Sequence, residues 1–402
     1  MYFKKNMIFL ICTLFVWITL ASTASAIPAF ARRYKLSCST CHMPFPRLKD
    51  FGDDYAGNGF ILEEEESERD YVSAGDDILW LQRDFPVAVR FDAYALYDED
   101  KAVENDLQSP WGLKLMSGGA VFKNVGYYFY FYMSERGEVA GIEDAYIHFN
   151  NLFDSSLDIM VGQFQTSDPL MKRELRLTFE DYNIYKTKIA GSNTDLAYDR
   201  GVMVVYGIEQ TSTDIVGMVV NGNGKAEAGA DKSFDQDKYK NIGLRVSQAV
   251  GDLFSIGGFY YQGKETLQGS RMIDGETEIN FSYDNELSYW GPDINIGVGP
   301  IDITGQYLLR KDTHKFSDRA DEEIETSGIV LEAIFAPHLD RSRYYFTALY
   351  NNIDSDWDVY DYETATLSAT YLFARNIRFI LEYSRDLQYD SNRFLFGMVS
   401  GF

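Results

Sequence analysis

The chain ends in the stretch NRFLFGMVSGF, residues 392–402, and the pattern of this stretch decides the fold. Aromatic side chains recur at every second position, at Phe394 and Phe396, and the terminal Phe402 has the same parity. Such alternation is typical of a β-strand with one apolar face, because successive side chains point to opposite sides. The stretch also has the length of about ten residues that a tilted strand needs to cross a bilayer. It therefore predicts a membrane-spanning strand.

The same alternation, rich in Tyr, Phe, Val and Ile, runs through the chain from Phe85 onward, with breaks that contain glycine. It predicts strands at 86–97, 111–121, 125–134, 140–150, 155–165, 199–208, 212–221, 239–249, 253–263, 286–298, 301–311, 324–336, 343–353, 360–373, 376–387 and 391–402. The count is even, and each candidate is close to spanning length. We therefore expect an all-β fold, a 16-stranded antiparallel transmembrane β-barrel over residues 86–402.

The connections between these strands alternate in length. Short connections are Lys123-Asn124, Gly251-Asp252, Gly299-Pro300 and Ala374-Arg375, and longer ones are 166–198, 222–238 and 264–285. Outer-membrane barrels have short periplasmic turns and long outer loops, and the terminal Phe402 resembles their C-terminal signature. With a periplasmic C-terminus, the even count places the start of the first strand on the periplasmic side as well. A soluble β-sandwich or propeller is the alternative, but no repeated blade motif is present.

Residues 1–26 have the features of a secretory signal peptide. Lys4 and Lys5 precede the apolar run 7–20, and small residues at 24–26 form a cleavage site. No other stretch approaches the run of about 20 apolar residues that a membrane helix requires. We therefore expect export, and we expect that a membrane is crossed by strands.

The motif Cys38-Ser39-Thr40-Cys41-His42 has the spacing of a c-type haem attachment site. Two thiols one short turn apart can form thioethers with the haem vinyl groups, and the adjacent His42 becomes the axial ligand of the iron. A redox Cys-x-x-Cys pair and half of a zinc site are the alternatives. The first would need a βαβ context and the second another pair of ligands. We predict one covalent haem c.

The haem motif lies in a small segment, 27–62, which an acidic linker, 63–85, separates from the barrel. We expect this segment to be mostly helical or irregular. Leu48, Phe51 and Tyr55 have helical spacing and could cover one haem face. A segment this short is below the size that usually folds alone, so it should depend on the haem and on another surface.

A sixth iron ligand, if present, must be a His or Met that reaches the haem from elsewhere. Met43 follows His42 directly and cannot easily cross to the opposite face. In strand 140–150, the side chains of Asp144, Tyr146 and His148 are expected to face the lumen. His148 is therefore one candidate, provided that the haem segment enters the barrel. Met160 is the second. For both residues, an ordinary role in lining or packing the lumen is the alternative.

The formal net charge of −24 limits the kinds of partner that the protein is expected to bind. An acidic surface repels nucleic acid and anionic lipid, so neither is expected as a partner. The charge is compatible with metal cations outside the cell or with a basic redox partner. Acidic runs such as 98–100, 321–323 and 354–358 would attract cations through their field. Simple solubility of acidic loops is the alternative explanation.

The N-terminal part of the chain resembles the fused cytochrome–porins of bacterial outer membranes, a family that includes Fe(II) oxidases. The likeness is carried by residues 28–32 (PAFAR), 38–42 (CSTCH), Pro46, Leu48, 51–52 (FG) and 59–60 (GF). The resemblance implies a haem segment within or beneath the barrel that passes electrons between the outside and the periplasm. Residue by residue, it extends to Cys38, Cys41 and His42.

Three functions follow as hypotheses. The first is an electron conduit from an external donor, with Fe(II) as the candidate, to a periplasmic carrier such as a soluble cytochrome. The protein would then be an Fe(II):cytochrome oxidoreductase or an electron carrier, and the same conduit could run outward to reduce extracellular metals. The second is a diffusion porin with a tethered periplasmic cytochrome. The third is a structural barrel with a degenerate haem motif.

Overall fold

The computed structural model describes residues 29–62 and 85–402, apart from 190, 236, 252, 274–276 and 317–318. The predicted signal peptide and almost all of the predicted acidic linker lie outside these residues. The N-terminal segment contains three short helices, α1 (Ala29–Tyr34), α2 (Cys38–Cys41) and α3 (Asp50–Gly57). In the described part of the chain, no helix is long and apolar enough to cross a bilayer.

Sixteen β-strands follow the helices. They are β1 (Val87–Asp98), β2 (Asn105–Phe122), β3 (Val125–Glu135), β4 (Gly141–Phe149), β5 (Leu157–Phe164), β6 (Asp199–Ile208), β7 (Thr213–Val220), β8 (Asn241–Val250), β9 (Phe254–Ile273), β10 (Thr277–Val298), β11 (Ile301–Phe316), β12 (Arg319–Phe335), β13 (Tyr344–Ser355), β14 (Tyr362–Ala374), β15 (Ile377–Asp386) and β16 (Ser391–Gly401). Short 3₁₀ turns lie at Leu152–Asp154, Arg173–Leu175, Asn183–Tyr185, Leu339–Arg341 and Asp358–Tyr360.

The strands form one closed antiparallel barrel. Each strand pairs with its neighbours in sequence, and β1 pairs with β16 from Arg90↔Gly401 to Asp98↔Arg393. The terminal Phe402 completes this seam, because its backbone N–H and carbonyl bond Val89 at 2.8 and 2.7 Å. The predicted 16-stranded antiparallel barrel is confirmed.

The barrel is apolar outside, and its inner face carries many polar side chains beside an apolar cluster. On β13, Tyr344 and Phe346 are exposed, whereas Thr347 and Asn351 on the other face are buried. Buried polar side chains continue on the inner faces of β14 and β15, at Thr364, Thr366, Ser368, Thr370, Glu382 and Ser384. A soluble barrel buries its apolar face, so this inverted pattern is the one expected of a barrel in lipid.

Strands β9 and β10 are longer than predicted. The stretch 264–285, predicted as a connection, is mostly strand, with Glu286 opposite Lys264 and Asp284 opposite Thr266. Lys264 Nζ lies 3.1 Å from a carboxylate oxygen of Glu286. Beyond the membrane both faces of a strand meet water, so the apolar alternation ends while the hydrogen-bonded ladder continues. Charged cross-strand pairs then replace apolar ones.

The connection between β5 and β6, residues 165–198, folds into the barrel, although it was predicted as a long outer loop. We call it the inner loop. Its side chains Tyr185 and Leu196 are fully buried and pack in one cluster with Tyr261, Leu308 and Val330 of the barrel wall. Aromatic and aliphatic side chains in this connection are stabilised by burying their apolar surface against the lumen wall instead of exposing it to water. The inner loop therefore occupies the lumen.

A candidate haem site at one mouth of the barrel

The two cysteines of the haem motif lie on a single helical turn, α2. Ser37 caps this turn, since its hydroxyl accepts a bond from the N–H of Ser39 at 3.4 Å. The N–H of His42 donates to the carbonyl of Cys38 at 2.9 Å and ends the turn. Residues three apart on a helix share a side, so both thiols can reach one planar group. His42 follows directly in an extended conformation.

The imidazole of His42 is held in the state that an iron ligand requires. Its Nδ1 lies 2.7 Å from the carbonyl oxygen of Pro46. A carbonyl only accepts, so the proton is on Nδ1 and Nε2 keeps its free lone pair. Burial lowers the pKa of His42 from 6.5 to about 4, which keeps the ring neutral at physiological pH. The ring also packs edge-on against Phe45, with centroids 4.9 Å apart.

Helix α3 packs tightly against the haem motif through Gly52. A Cβ at this position would lie 2.2 Å from the carbonyl oxygen of Cys41, so only glycine allows the approach. The N–H of Lys49 donates to the same carbonyl at 3.0 Å. The helix begins at Asp50, so Leu48 lies before it, in a β-bridge with His42. Tyr55 is buried among the rings of Phe30, Tyr34 and Phe60, whereas Phe51 is exposed.

The two thiols do not resemble a reactive dithiol or a metal site. Burial raises the pKa of both Cys38 and Cys41, whereas redox-active cysteines have lowered values. Within the described residues, no group of three or more His, Cys, Asp or Glu side chains could hold a metal ion. The donor set of two thiols and one neutral imidazole fits a c-type haem better than either alternative.

A hollow beside the motif joins it to the barrel. On the segment it is lined by Cys38, Ser39 and residues 42–45, and on the barrel by Leu339, Asp340, Ser342, Leu372 and Arg375. The barrel residues come from the β12–β13 connection, from the end of β14 (Leu372) and from the β14–β15 turn (Arg375). Pro44, Phe45, Leu339 and Leu372 make part of the lining apolar, and the accessible volume of the hollow is small, about 10 Å³.

One side of the segment is anchored to strands β11–β15. The Arg47 guanidinium bonds Glu332 and Thr304 at 2.6 Å each and lies 3.4 Å from Asp302. The hydroxyl of Tyr345 donates to the carbonyl of Phe45 at 2.7 Å. Glu332 and Tyr345 are fully buried. A buried arginine with carboxylate partners fixes both position and orientation.

The opposite side of the segment is anchored to strands β3 and β4. Gly59 packs on Gly126 of β3, where a Cβ would lie 2.2 Å from the carbonyl oxygen of Gly59. Phe60 stacks on Tyr128 of β3 with centroids 4.9 Å apart. The side-chain amide of Asn150, just after β4, donates to the carbonyl of Asn58 at 2.9 Å. The segment therefore spans the mouth of the barrel that holds the C-terminus.

The inner loop meets the segment inside the lumen. Glu332 accepts a hydrogen bond from the guanidinium of Arg47 in the segment at 2.6 Å. It accepts another from the hydroxyl of Tyr182 in the inner loop at 2.9 Å. A second contact joins Lys172 and Asp53 at 4.0 Å. The inner loop is itself held by an ion cluster in which Asp181 lies 2.7 Å from Arg173 and 3.1 Å from Lys186. The segment and the inner loop are therefore in direct contact at this end of the lumen.

Comparisons with known proteins agree with the barrel. OmpTdeltaL8 of Vibrio cholerae, a loop L8 deletion mutant of the outer membrane protein OmpT, superposes with a TM-score of 0.56 at 15% identity over 79% of this chain and 99% of that one. The barrel has the fold of a porin. An anion-selective porin from Comamonas acidovorans gives a TM-score of 0.54 at 11% identity over 79% and 99% of the two chains.

A third similar structure, Salmonella typhi OmpF in complex with daunomycin, gives a TM-score of 0.55 at 10% identity over 79% of this chain and 97% of that one. At these identities the likeness establishes the fold alone. The sequence matches no protein-family model and no curated protein sequence.

In this porin fold, the two predicted sixth ligands lie away from His42. His148 on β4 is buried beside Gly59, with Nε2 3.8 Å from an oxygen of Asp158, and it pairs in register with Met160 of β5. The hollow beside His42 adjoins β12–β15, across the mouth from β4. The structure does not bring His148 or Met160 to His42, and a sixth-ligand role for either stays a prediction.

Sequence reasoning missed the anchors of the segment and the inner loop. Glu332, Tyr345 and Asn150 appeared only as strand or strand-end residues, and Tyr182 only as part of a connection. The one available signal was composition, because the run 177–185 (LTFEDYNIY) is too rich in apolar and aromatic residues for a solvated loop. A connection of this length with such a run is better suited to a buried position.

Proposed function

We propose that the protein is an outer-membrane electron-transfer protein. One haem, attached through Cys38 and Cys41 with His42 as axial ligand, would pass electrons between an extracellular donor, with Fe(II) as the candidate, and a periplasmic carrier such as a soluble cytochrome. The observation that carries this proposal is the position of the haem motif, because a neutral, oriented histidine next to two adjacent thiols lies at a mouth of a closed barrel. The outer-membrane location is supported by the apolar exterior and by the porin fold.

The chain's own residues would hold and orient the cofactor. Pro46 fixes the tautomer of His42, and Gly52 lets α3 support the turn that carries the thiols. Arg47 and Phe45 fasten the segment to the barrel wall, so the site keeps a fixed distance from the lumen. When attached, the haem supplies a one-electron couple. The protein supplies position and environment.

The test uses purified full-length protein in liposomes, with Fe(II) added outside. Covalent haem should first appear by mass and by peroxidase staining of a denaturing gel, and stopped-flow spectra should then show the α-band of reduced haem. Cys38→Ser combined with Cys41→Ser should abolish the stained band while the barrel still folds. A wild-type protein without covalent haem would refute the proposed haem attachment. A haem that stays oxidised after Fe(II) is added would refute Fe(II) as the electron donor.

A diffusion porin with a tethered cytochrome is the second candidate, and the comparisons favour it. The similar solved structures include a protein named as an anion-selective porin, and the folds agree over the whole barrel. Conductance in planar bilayers separates the two candidates. A conduit whose mouth and lumen are filled should conduct ions poorly, whereas a diffusion porin should conduct well. If oxidised extracellular metal accepts electrons from prereduced haem, the same conduit runs outward.

A further inference from the structure

We propose that the barrel rim beside the haem motif is the docking surface for the periplasmic electron carrier, and that this carrier presents an acidic face. The proposal rests on the function proposed above, which places such a carrier at this mouth. The surface is formed by the connections that follow β12 and β14. It carries the exposed guanidinium groups of Arg341, Arg343 and Arg375, which we call the basic rim.

The basic rim lies next to the haem motif. Arg375 lines the same hollow as Cys38 and His42. Arg341 and Arg343 lie on either side of a buried serine that also lines this hollow. A protein that approaches the haem motif from outside this mouth would therefore meet the three arginines.

The positive charge of the basic rim is not neutralised by the protein itself. In the described part of the chain, none of the three guanidinium groups forms an ion pair or donates a hydrogen bond. Asp340, in the same connection as Arg341, lies 4.0 Å from Lys49, and Asp50 follows this lysine in the chain. A free guanidinium group is suited to a carboxylate, with which it can form two parallel hydrogen bonds.

Three acidic runs of the chain lie far from the basic rim. Residues 98–100 begin at the end of β1, 321–323 lie near the start of β12, and 354–358 begin at the end of β13, all at the opposite end of the barrel. Exposed charges more than about 8 Å apart are largely screened at physiological ionic strength. The local charge at the rim therefore favours an acidic partner, although the net charge of −24 is compatible with a basic one.

An exposed leucine adds an apolar contact to this surface. Leu339 lines the hollow and is 43% exposed. Protein interfaces combine apolar contacts with a polar rim, and they are enriched in arginine and depleted in lysine. Because Leu339 and Arg375 line the hollow together with residues of the segment, they lie on the side of the mouth. This position favours a soluble protein over phospholipid head groups as the partner.

The first experiment measures binding to the basic rim independently of the haem. The probe is a fluorescein-labelled polyglutamate peptide, whose anisotropy is followed as detergent-solubilised full-length protein is added. An ionic strength of about 0.1 M, with a Debye length of about 10 Å, limits the effect to charges near the peptide. The double variant Arg343→Gln with Arg375→Gln should weaken binding about 10-fold. The matched control is Lys123→Gln, which removes the same charge from an exposed position in the β2–β3 turn and should leave binding unchanged.

The second experiment tests whether the basic rim serves the haem. Prereduced holoprotein is oxidised in a stopped-flow instrument by ferricyanide, an anion, or by tris(phenanthroline)cobalt(III), a cation. In each case the haem iron loses one electron and the metal complex gains it. The double variant should lower the ratio of the ferricyanide rate to the cobalt rate about 10-fold, because opposite charge speeds encounter and like charge slows it. Lys123→Gln should leave this ratio unchanged.

The outcomes separate the surface from the function. Equal peptide affinities for wild type and the double variant would overturn the surface. Binding that depends on the arginines, with an unchanged ratio of oxidation rates, would overturn the role of the surface in electron transfer. A protein that binds the peptide through the arginines but carries no covalent haem would keep the surface and refute the proposed function.

Two further outcomes would assign the basic rim to another occupant. Peptide binding in phosphatidylcholine nanodiscs that is lost in phosphatidylglycerol nanodiscs would assign the rim to anionic lipid. Binding that appears only after the glutamates at 63–66 are replaced by glutamine would assign it to the chain's own acidic run. Either result would overturn the proposed docking of a carrier, whereas equal binding in both lipids and in both proteins supports it.

Discussion

The side chain of Glu332 contacts three parts of this molecule. It is 1% exposed on β12, and it accepts bonds from Arg47 of the haem segment and from Tyr182 of the inner loop. The same arginine also meets Thr304 and Asp302. One carboxylate thus links the barrel wall, the segment and the inner loop. Its removal would leave Arg47 largely buried with less compensation for its charge.

Glu332→Ala should loosen the segment without unfolding the barrel. Breaking a buried ion pair by removing one partner costs about 3–5 kcal/mol, although Asp302 would offset part of this here. We expect at least a 10-fold faster tryptic cleavage at Arg47 and Lys49. Glu332→Gln keeps an acceptor oxygen and should lie between wild type and Ala. Equal cleavage rates in all three proteins would show that the ion pair does not hold the segment.

Gly126 is the second position where one residue decides docking. A Cβ there would meet the carbonyl of Gly59 at 2.2 Å, and backbone atoms of the segment cannot yield as a flexible side chain can. Gly126→Ala should displace the 57–60 turn and raise the single-channel conductance in planar bilayers. Gly217→Ala is the matched control, since nothing lies within 4 Å of its added Cβ. A conductance increase of the same size in the control would contradict this explanation.

At the scale of elements, the inner loop depends on its ion cluster. Burial alone would raise the pKa of Glu174, but Lys114 and Arg176 more than offset burial and lower it from 4.5 to about 2. Asp181 is likewise buried, yet Arg176, Arg173 and Lys186 hold its pKa well below 3.8. Both carboxylates thus stay charged inside the lumen, where their partners fix the path of the loop.

The sign of this shift predicts how the inner loop responds to acid. A carboxylate with a lowered pKa stabilises the folded loop fully above its unfolded pKa of 4.5, and this contribution is lost as the pH falls towards 2. The part of the conductance that depends on Glu174 should therefore stay constant from pH 7 to about 4.5 and rise below pH 4.5. Glu174→Gln should raise conductance already at pH 7, and it should reduce the further rise in conductance below pH 4.5. A wild-type profile that does not change below pH 4.5 would count against the cluster.

At the scale of the whole molecule, the protein is a barrel of porin-like fold whose lumen contains the inner loop. The segment spans the mouth that holds the C-terminus, and the inner loop lies in the lumen and contacts it. The acidic runs lie at the other end of the barrel, where 98–100 begins at the end of β1, 321–323 lies near the start of β12, and 354–358 begins at the end of β13. Their charge would attract cations to this end.

Deleting residues 29–62 should test whether the segment and the inner loop each restrict the channel. The barrel seam runs from Val89 to Phe402 and does not involve the segment, so the truncated chain should still fold. Conductance should rise, but it should rise further when Tyr182→Ala and Tyr185→Ala are added, because the inner loop still narrows the lumen. If deletion of the segment alone gives the full increase, the inner loop does not restrict the channel.

The barrel could be predicted from the sequence because its signals are local. Alternation along each strand is fixed by neighbours two residues apart, and the strand ends agree closely for β6 and β16, while β9 and β10 continue past the point where alternation stops. The haem motif is local too, since Cys38, Cys41 and His42 lie within one turn. These features need no knowledge of distant parts of the chain.

The inward course of the inner loop, the docking of the segment and the place of His148 were decided by the tertiary structure alone. The contacts responsible join residues far apart, with 285 positions between Arg47 and Glu332 and 150 between Tyr182 and Glu332. No periodicity encodes such pairs, because each depends on the closure of the whole barrel around them. The sequence by itself determined the β-barrel and the haem motif. The closed barrel then determined where the inner loop and the segment dock.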